Sequence, residues 1–396
     1  MKKSLTSTVS WVGKVDWDLL KFHGDEYSTD KGSSYNSYVI EEEKTVLLDT
    51  VWKPYAKEFM DNLEAEGLLD KLDAVIAQHA ESDHSGAMPE LMRRRPDLPV
   101  YCTANGVKSL KGHYHQDWDF HIVKTGDEFQ LGNGKKLVFV EAPMLHWPDS
   151  MFTYMTGDAI LFSNDAFGQH IATEKLYNDL VDQDELYDEA IKYYANILTP
   201  FSPLVKAKID FVLSLKLPVN MIATSHGVIW RDNPTQIVLK YLEWAQNYQE
   251  DRVTILYDTM WEGTRALADT FARAINDASP STTVVSHCLS KFDKNDALTD
   301  VFRSKAILLG SPTVGKGVLT AVAGMLEEIK GLRFTGKKAA AFGAYGWSGE
   351  SVKVISDSLR ASGFDMVDDG FKALWNPDDD ALKAAYEYGK AFAAKL

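Results

Sequence analysis

Cysteine is almost absent from this chain: Cys102 and Cys288 are the only two among 396 residues. So widely separated, they form no CxxC pair, thiolate zinc site or disulfide framework, and a reducing, intracellular setting is the simple expectation. Long apolar runs are missing as well. No stretch of about 18 apolar residues occurs, so no membrane-spanning helix is expected. The opening residues MKKSLTSTVSWVG carry two lysines with no apolar segment behind them, unlike a secretory signal. A cytoplasmic location is the expectation. Positive charge is in deficit, with 42 Lys and Arg against 57 Asp and Glu and a net charge of −15. That balance argues against nucleic acid or an anionic membrane as the main partner, since both require a basic face.

What is present is a soluble composition, 45% hydrophobic and 25% charged, in a chain long enough for two domains. Up to about residue 250, short β-rich runs end in polar, His-containing loops: Ser37–Ile40 with Lys44–Leu48, Leu72–Ala77, Leu137–Glu141, Ala159–Phe162 and Met221–Thr224. Helical stretches at Tyr55–Leu63, Gly86–Arg95, Asp184–Ile197 and Leu204–Leu215 lie between some of them. Mixed strands with outer helices predict an α/β sandwich. From Asp251 onward, strands at Val253–Tyr257, Thr283–His287, Ala306–Leu309 and Lys338–Phe342 alternate with helices. That rhythm predicts a doubly wound parallel sheet. The polar segment 244–252 is the expected junction, giving domains 1–249 and 250–396.

Histidines decide the first domain. After the strand-like run LDAVIA come His79, Glu81, Asp83 and His84, four ligand-type residues within six positions. In an extended chain His79, Glu81 and Asp83 leave one side, and a turn into the following helix can aim Asp83 and His84 at a second point. Three other strands end in His146, Asp165 and His226. A lone His or Asp after a strand is usually a cap, which is the reading for His113, His115, His121 and His287. Seven ligand types at four strand ends favour two adjacent metals instead. Imidazole and carboxylate ligation without sulfur suits iron, manganese or zinc. Glu81 tilts the choice to iron, and Asp165, with two oxygens, is the natural bridge.

The order H-x-E-x-D-H…H…D…H resembles the flavodiiron proteins (A-type flavoproteins), whose first domain has the metallo-β-lactamase fold and whose hydrolytic relatives use H-x-H-x-D-H. GSSYNSYVI, MLHWPDSM, FSNDAFGQH, YYANILTPF, ATSHGVIWRDNPTQIV and GWSGESVK extend the resemblance over essentially the whole chain. Within the family it looks most like the nitric oxide-reducing flavorubredoxins, without their C-terminal rubredoxin domain. The resemblance implies an N-terminal metallo-β-lactamase-like αββα sandwich followed by a flavodoxin-like domain. It places His79, Glu81, His146 and Asp165 on one iron, and Asp83, His84, Asp165 and His226 on the other. It adds His23 and Tyr193 as pocket residues, with Tyr194 not separable from Tyr193.

In the second domain three loops at strand ends suit FMN. Thr259, Met260, Trp261, Glu262, Gly263 and Thr264 open a helix. Ser311, Pro312, Thr313, Val314 and Gly315 follow the third strand, and Ala344, Tyr345, Gly346, Trp347, Ser348 and Gly349 the fourth. Glu262 stands where relatives carry small or neutral polar residues, and its carboxylate is expected to face away from a phosphate. Two ferrous ions and reduced FMN hold four electrons. Reducing two NO to N2O takes two, and reducing O2 to water takes four. The resemblance implies NO or O2 as substrate, a separate rubredoxin-type electron donor, and a head-to-tail homodimer or a tetramer of such dimers. A dinuclear zinc hydrolase fused to a flavodoxin, or an electron carrier with a scaffold domain, are the alternatives; Glu81 and the complete ligand set argue against them.

Overall fold

A computed structural model describes residues 2–396. Contacts divide the chain into two units, one of residues 1–193 and 201–243 and the other of 194–200 and 244–396.

The first unit holds a seven-stranded sheet in the order Lys3–Ser4, Val9–Trp11, Tyr38–Glu41, Thr45–Leu48, Leu72–Ile76, Val100–Cys102, Phe120–Ile122. Its first half is antiparallel and its second half, from Thr45–Leu48 onward, parallel. The hairpin expected in YNSYVIEEEKTVLLDT is present, with Tyr38 opposite Leu48 and Glu41 opposite Thr45. A second sheet runs Glu128–Gly132, Lys135–Glu141, Met151–Met155, Ile160–Asn164, Met221–Thr224. Alternation on the strands sends one face of each sheet inward. Val9, Tyr38, Ile40, Val46, Leu48 and Ile76 of the first sheet meet Leu137, Phe139, Met151, Ile160 and Phe162 of the second in one buried core. This is the expected sandwich. Four strands, those ending at Ile76, Glu141, Asn164 and Thr224, deliver their loops to the site described below.

The second unit is a parallel sheet in the order Thr283–Cys288, Glu250–Tyr257, Ser304–Gly310, Lys338–Tyr345, the last flanked by a fifth strand in two segments, Asp365–Met366 and Phe371–Leu374. In chain order that is 2-1-3-4-5, the doubly wound arrangement with its switch point beside the first strand. Helices Gly263–Ala278, Lys294–Arg303, Thr320–Leu332, Ser351–Ala361 and Asp379–Ala393 connect and close it. The fifth strand was not among the sequence expectations, because Phe371–Leu374 is only four residues long and half exposed. The helix expected over 184–197 also differs. It is α-helical over Gln183–Tyr193 and then turns π over Tyr194–Leu198. Residues 194–200 belong to the second unit, where the Tyr194 ring packs 5.5 Å from Trp244 and 5.6 Å from Phe302.

Candidate metal centre and flavin cradle

All seven ligand candidates of the first unit come together. His79, Glu81, His146 and Asp165 form one group and Asp83, His84 and His226 another, each with its donor atoms within 4.8 Å of one another. Asp165 joins them. Its Oδ2 lies 3.6 Å from His79 Nε2 and 3.4 Å from His146 Nε2. Its Oδ1 lies 3.0 Å from His84 Nε2 and 3.4 Å from His226 Nε2. Glu81 Oε2 sits 3.3 and 3.2 Å from His79 and His146 Nε2, and Asp83 Oδ2 sits 3.2 and 3.1 Å from His84 and His226 Nε2.

Neighbouring groups set the tautomers. His79 Nδ1 faces the buried Asp149 Oδ2 at 3.0 Å, and Asp149 also accepts the Ala80 N–H at 2.7 Å. His226 Nδ1 donates to the Ser34 carbonyl at 2.7 Å, since a carbonyl only accepts. Each imidazole is thereby fixed with Nε2 inward, the arrangement by which a metal-binding histidine is oriented from behind. Asp149 escaped the sequence reading although it lies inside MLHWPDSM. The Met151 N–H to Gln78 carbonyl bond at 3.0 Å brings that segment beside His79, and only the fold shows this.

The contacts test whether a cation fits. His226 Nε2, with Nδ1 already donating, turns a lone pair toward two carboxylates. Both Asp83 oxygens, Asp165 Oδ2 and both His84 ring nitrogens are buried without a hydrogen bond of proper direction, despite the short separations. Lone pairs aimed at one another in a dry site are costly unless positive charge sits among them. In the chain alone, protons take that role. Burial pulls the His226 imidazole down, but Asp165 and Asp83 outweigh it and lift it to about 10; His146 rises likewise to about 9 beside Asp165 and Glu81. Burial pushes Asp165 up, yet His84, His146 and His226 hold it well below the carboxylate range. Three carboxylates and four imidazoles of this kind fit two divalent ions.

His23 Nε2 lies 3.0 Å from Glu81 Oε1, with its ring 6.3 Å from His146. Tyr193 is buried 6.4 Å from the His226 ring and 5.4 Å from His170. Tyr194 lies in the other unit, so the structure separates the two tyrosines. His170 was not singled out by sequence. It is buried beside His226, 4.8 Å between rings, with Nδ1 bonded to Ser33 Oγ at 2.7 Å.

In the second unit a cavity of about 510 Å³ opens at the carboxyl edge of the sheet. Of the expected flavin residues, Thr259, Met260, Trp261, Gly263, Thr264, Pro312, Thr313, Ala344, Tyr345, Gly346 and Trp347 line it. Glu262, Ser311, Val314, Gly315, Ser348 and Gly349 do not. Ser311 is wholly buried, and its hydroxyl accepts the Leu319 N–H at 3.0 Å, bracing the loop. Glu262 stands in the left-handed region at φ 65°, with its carboxylate 2.9 Å from Arg265 Nε. Its charge is thus paired, not bare. The cavity fits a phosphate-bearing planar ligand. The Thr259 hydroxyl is buried without a partner, the first N–H groups of Gly263–Ala278 are available for an anion, and a Cβ on Gly263 would come within 3.2 Å of Asn376 Oδ1. Trp375 and Asn376 complete the lining. Both follow the short fifth strand, so the rule that ligands sit at strand carboxyl ends would have found them had that strand been recognised.

Comparison with known proteins now decides the family. Residues 34–227 match the "ODP family beta lactamase" model and residues 255–389 the "Flavodoxin" model. The anaerobic nitric oxide reductase flavorubredoxin of Aliivibrio fischeri is 56% identical over 98% of this chain and 78% of its own length. The chain belongs to the flavodiiron family. The Klebsiella pneumoniae flavorubredoxin is 55% identical over 98% of this chain and 80% of its own. Among solved structures, rubredoxin oxygen:oxidoreductase from Desulfovibrio gigas superposes with a TM-score of 0.96 at 33% identity, covering 100% of this chain and 98% of that one. The flavodiiron protein from Giardia intestinalis gives 0.94 at 32% identity, covering 100% and 96%. As a flavodiiron protein the chain takes FMN in its flavodoxin domain and a diiron site in the other. Among the described residues no helix is long and apolar enough to cross a membrane.

Proposed function

We propose that this flavodiiron oxidoreductase reduces nitric oxide to nitrous oxide, with dioxygen as a second oxidant, using electrons from a rubredoxin-type donor. The observation that carries the reading is Asp165, whose two oxygens face two separate imidazole–carboxylate groups. NO is placed first because the relatives at 55–56% identity are named nitric oxide reductases, whereas the dioxygen name belongs to a protein 33% identical. Both names also contain rubredoxin, which supports that class of donor. Residues 1–249 would form the metal domain and 250–396 the flavin domain, apart from the segments 194–200 and 244–249, which group with the second unit, and two chains would pair head to tail as in the family likeness.

His79, Glu81, His146 and Asp165 would hold one iron, and Asp83, His84, Asp165 and His226 the other. Bound iron supplies one-electron exchange with a small oxidant, and bound FMN supplies a two-electron store. The chain's own contribution is orientation. Asp149 and the Ser34 carbonyl keep the His79 and His226 lone pairs inward, where a metal ion binds in competition with the protons that the carboxylates otherwise draw there. His23, beside Glu81, and the buried phenol of Tyr193, beside His226, are placed to hydrogen-bond a small ligand held between the two groups. Burial excludes bulk water from that space.

Anaerobic turnover with reduced rubredoxin tests the reading, with NO and O2 supplied at matched concentration. N2O formation that outpaces O2 consumption is expected. Absence of N2O from protein holding both cofactors would refute it.

A further inference from the structure

Tyr35 is the second neighbour of the metal site on its His226 side, and nothing in the reduction of NO or O2 uses it. Its ring is fully buried, edge-on to the His226 ring at 6.3 Å. The two are also joined through bonds. His226 Nδ1 donates to the carbonyl of Ser34, and that carbonyl belongs to the peptide unit leading into Tyr35. The phenol oxygen donates to Asp16 Oδ2 at 2.9 Å, and Asp16 is itself buried. The pairing of Lys14–Asp16 with Ser33–Tyr35 fixes this contact, with Lys14 opposite Tyr35 and Asp16 opposite Ser33. Outward, the Tyr35 ring lies 6.0 Å from Trp52 and 5.8 Å from Tyr55, both half-buried.

A phenol gives up an electron at moderate potential only when its proton has somewhere to go, because the radical cation is a very strong acid. A buried tyrosine usually donates to some acceptor, often a backbone carbonyl that cannot keep the proton, as Tyr38 does to Thr224. Here a carboxylate is in place. An indole and a second phenol then lead toward solvent in steps of about one ring diameter.

We propose that Tyr35, with Asp16 as its proton acceptor and Trp52 as its exit, forms a relay that carries oxidising equivalents from the metal site to soluble reductants when the flavin is empty. This rests on the diiron reading given above. In one passage Tyr35 loses an electron to a peroxide-level oxidant at the site and its phenolic proton to Asp16. A thiol then returns the electron through Trp52, releasing its proton to solvent as it becomes a thiyl radical, and Asp16 returns the phenolic proton to Tyr35. Over two passages the site takes up two electrons and two solvent protons and the two thiyl radicals join, so that one hydrogen peroxide and two thiols become two waters and one disulfide. The relay spares the metal-binding side chains from oxidation when donor supply fails.

Two measurements on the full chain decide the matter. First, metal-free protein is oxidised by flash-generated ruthenium(III) tris-bipyridine. Beside indole radicals at the exposed Trp17, Trp261, Trp347 and Trp375, the expected product is a neutral tyrosyl radical that is diminished in Tyr35→Phe and in Asp16→Asn. Second, iron- and FMN-loaded protein with oxidised flavin is mixed with hydrogen peroxide and freeze-quenched. The same electron paramagnetic resonance signal is expected, decaying more slowly with added thiol in Trp52→Phe, a variant that leaves the Tyr35–Asp16 pair intact and answers for any folding defect in Tyr35→Phe. An undiminished radical in folded Tyr35→Phe, or one that disappears instead in Trp147→Phe or Tyr193→Phe, overturns the proposal. Metal analysis separates the two claims. A chain that binds no iron sinks the diiron reading, while the photochemical measurement still decides the relay.

Discussion

The two sites of this protein are made from different materials. The metal centre is built of charged side chains, buried and so close that removing one leaves its neighbours facing each other unpaired. The flavin cradle is built of backbone N–H groups, glycines and partly exposed rings around an open cavity. In the first, each group depends on the others through electrostatics in a dry interior. In the second, each contact adds a small share of shape and stacking. Substitutions should therefore act as steps in one unit and as gradations in the other.

The sharpest contrast is expected from Asp165→Ala. Both iron groups lose their shared carboxylate, so iron binding and N2O production should be abolished while FMN stays bound; retained iron would put the two groups on separate supports. Next comes Asp149→Asn, which preserves shape but removes the anion behind His79. Loss of such a partner lowers metal affinity by about 10–100-fold, read by competition with a chelator, and FMN affinity should not move.

How far each site was legible follows from the same difference. His79, Glu81, Asp83 and His84 stand within six positions, Asp165 and His226 fall within two residues of a strand end, and His146 stands in the loop after the strand ending at Glu141, so residue type and the loops that leave strands together marked the metal centre. Asp149 and Ser34 were silent because their role comes from pairing across the fold. In the cradle, Thr259 to Thr264 could be read from the strand-to-helix turn. Trp375 and Asn376 could not, because the strand before them is short and half exposed. The break at Tyr193 and Tyr194 was also hidden, since helical periodicity runs through a π turn without announcing where one unit gives way to another.

The gradations expected in the flavin unit are smaller. Lys337 is buried, donating to the carbonyls of Tyr248, Phe302 and Ser304 at 3.0, 2.7 and 2.7 Å. Burial lowers its ammonium to about 7 against an ordinary 10.5. Between those values the unfolded chain binds more protons than the folded one. The lysine's contribution therefore makes stability rise with pH across that window, by at most about 1.4 kcal/mol per pH unit, and the three carbonyls make the slope shallower. Denaturant melts of Lys337→Met should lose that slope, and an unchanged slope would contradict it. Trp375→Ala should weaken FMN by roughly 0.5–1.5 kcal/mol, on the order of tenfold at most, with iron content unchanged. Smallest of all, Glu262→Gly relieves a left-handed backbone cost of about 1 kcal/mol and removes a paired carboxylate. FMN titration should show affinity equal to or slightly above that of the parent chain.

The central claim is that Asp165 joins two iron positions in a domain whose loss of metal leaves the flavin untouched. Iron and FMN content, measured together on anaerobically reconstituted parent and Asp165→Ala protein, test it directly. Two irons and one FMN per chain in the parent, with FMN alone in the variant, are predicted. One iron per chain in the fully active parent, or iron surviving in the variant, would contradict the account.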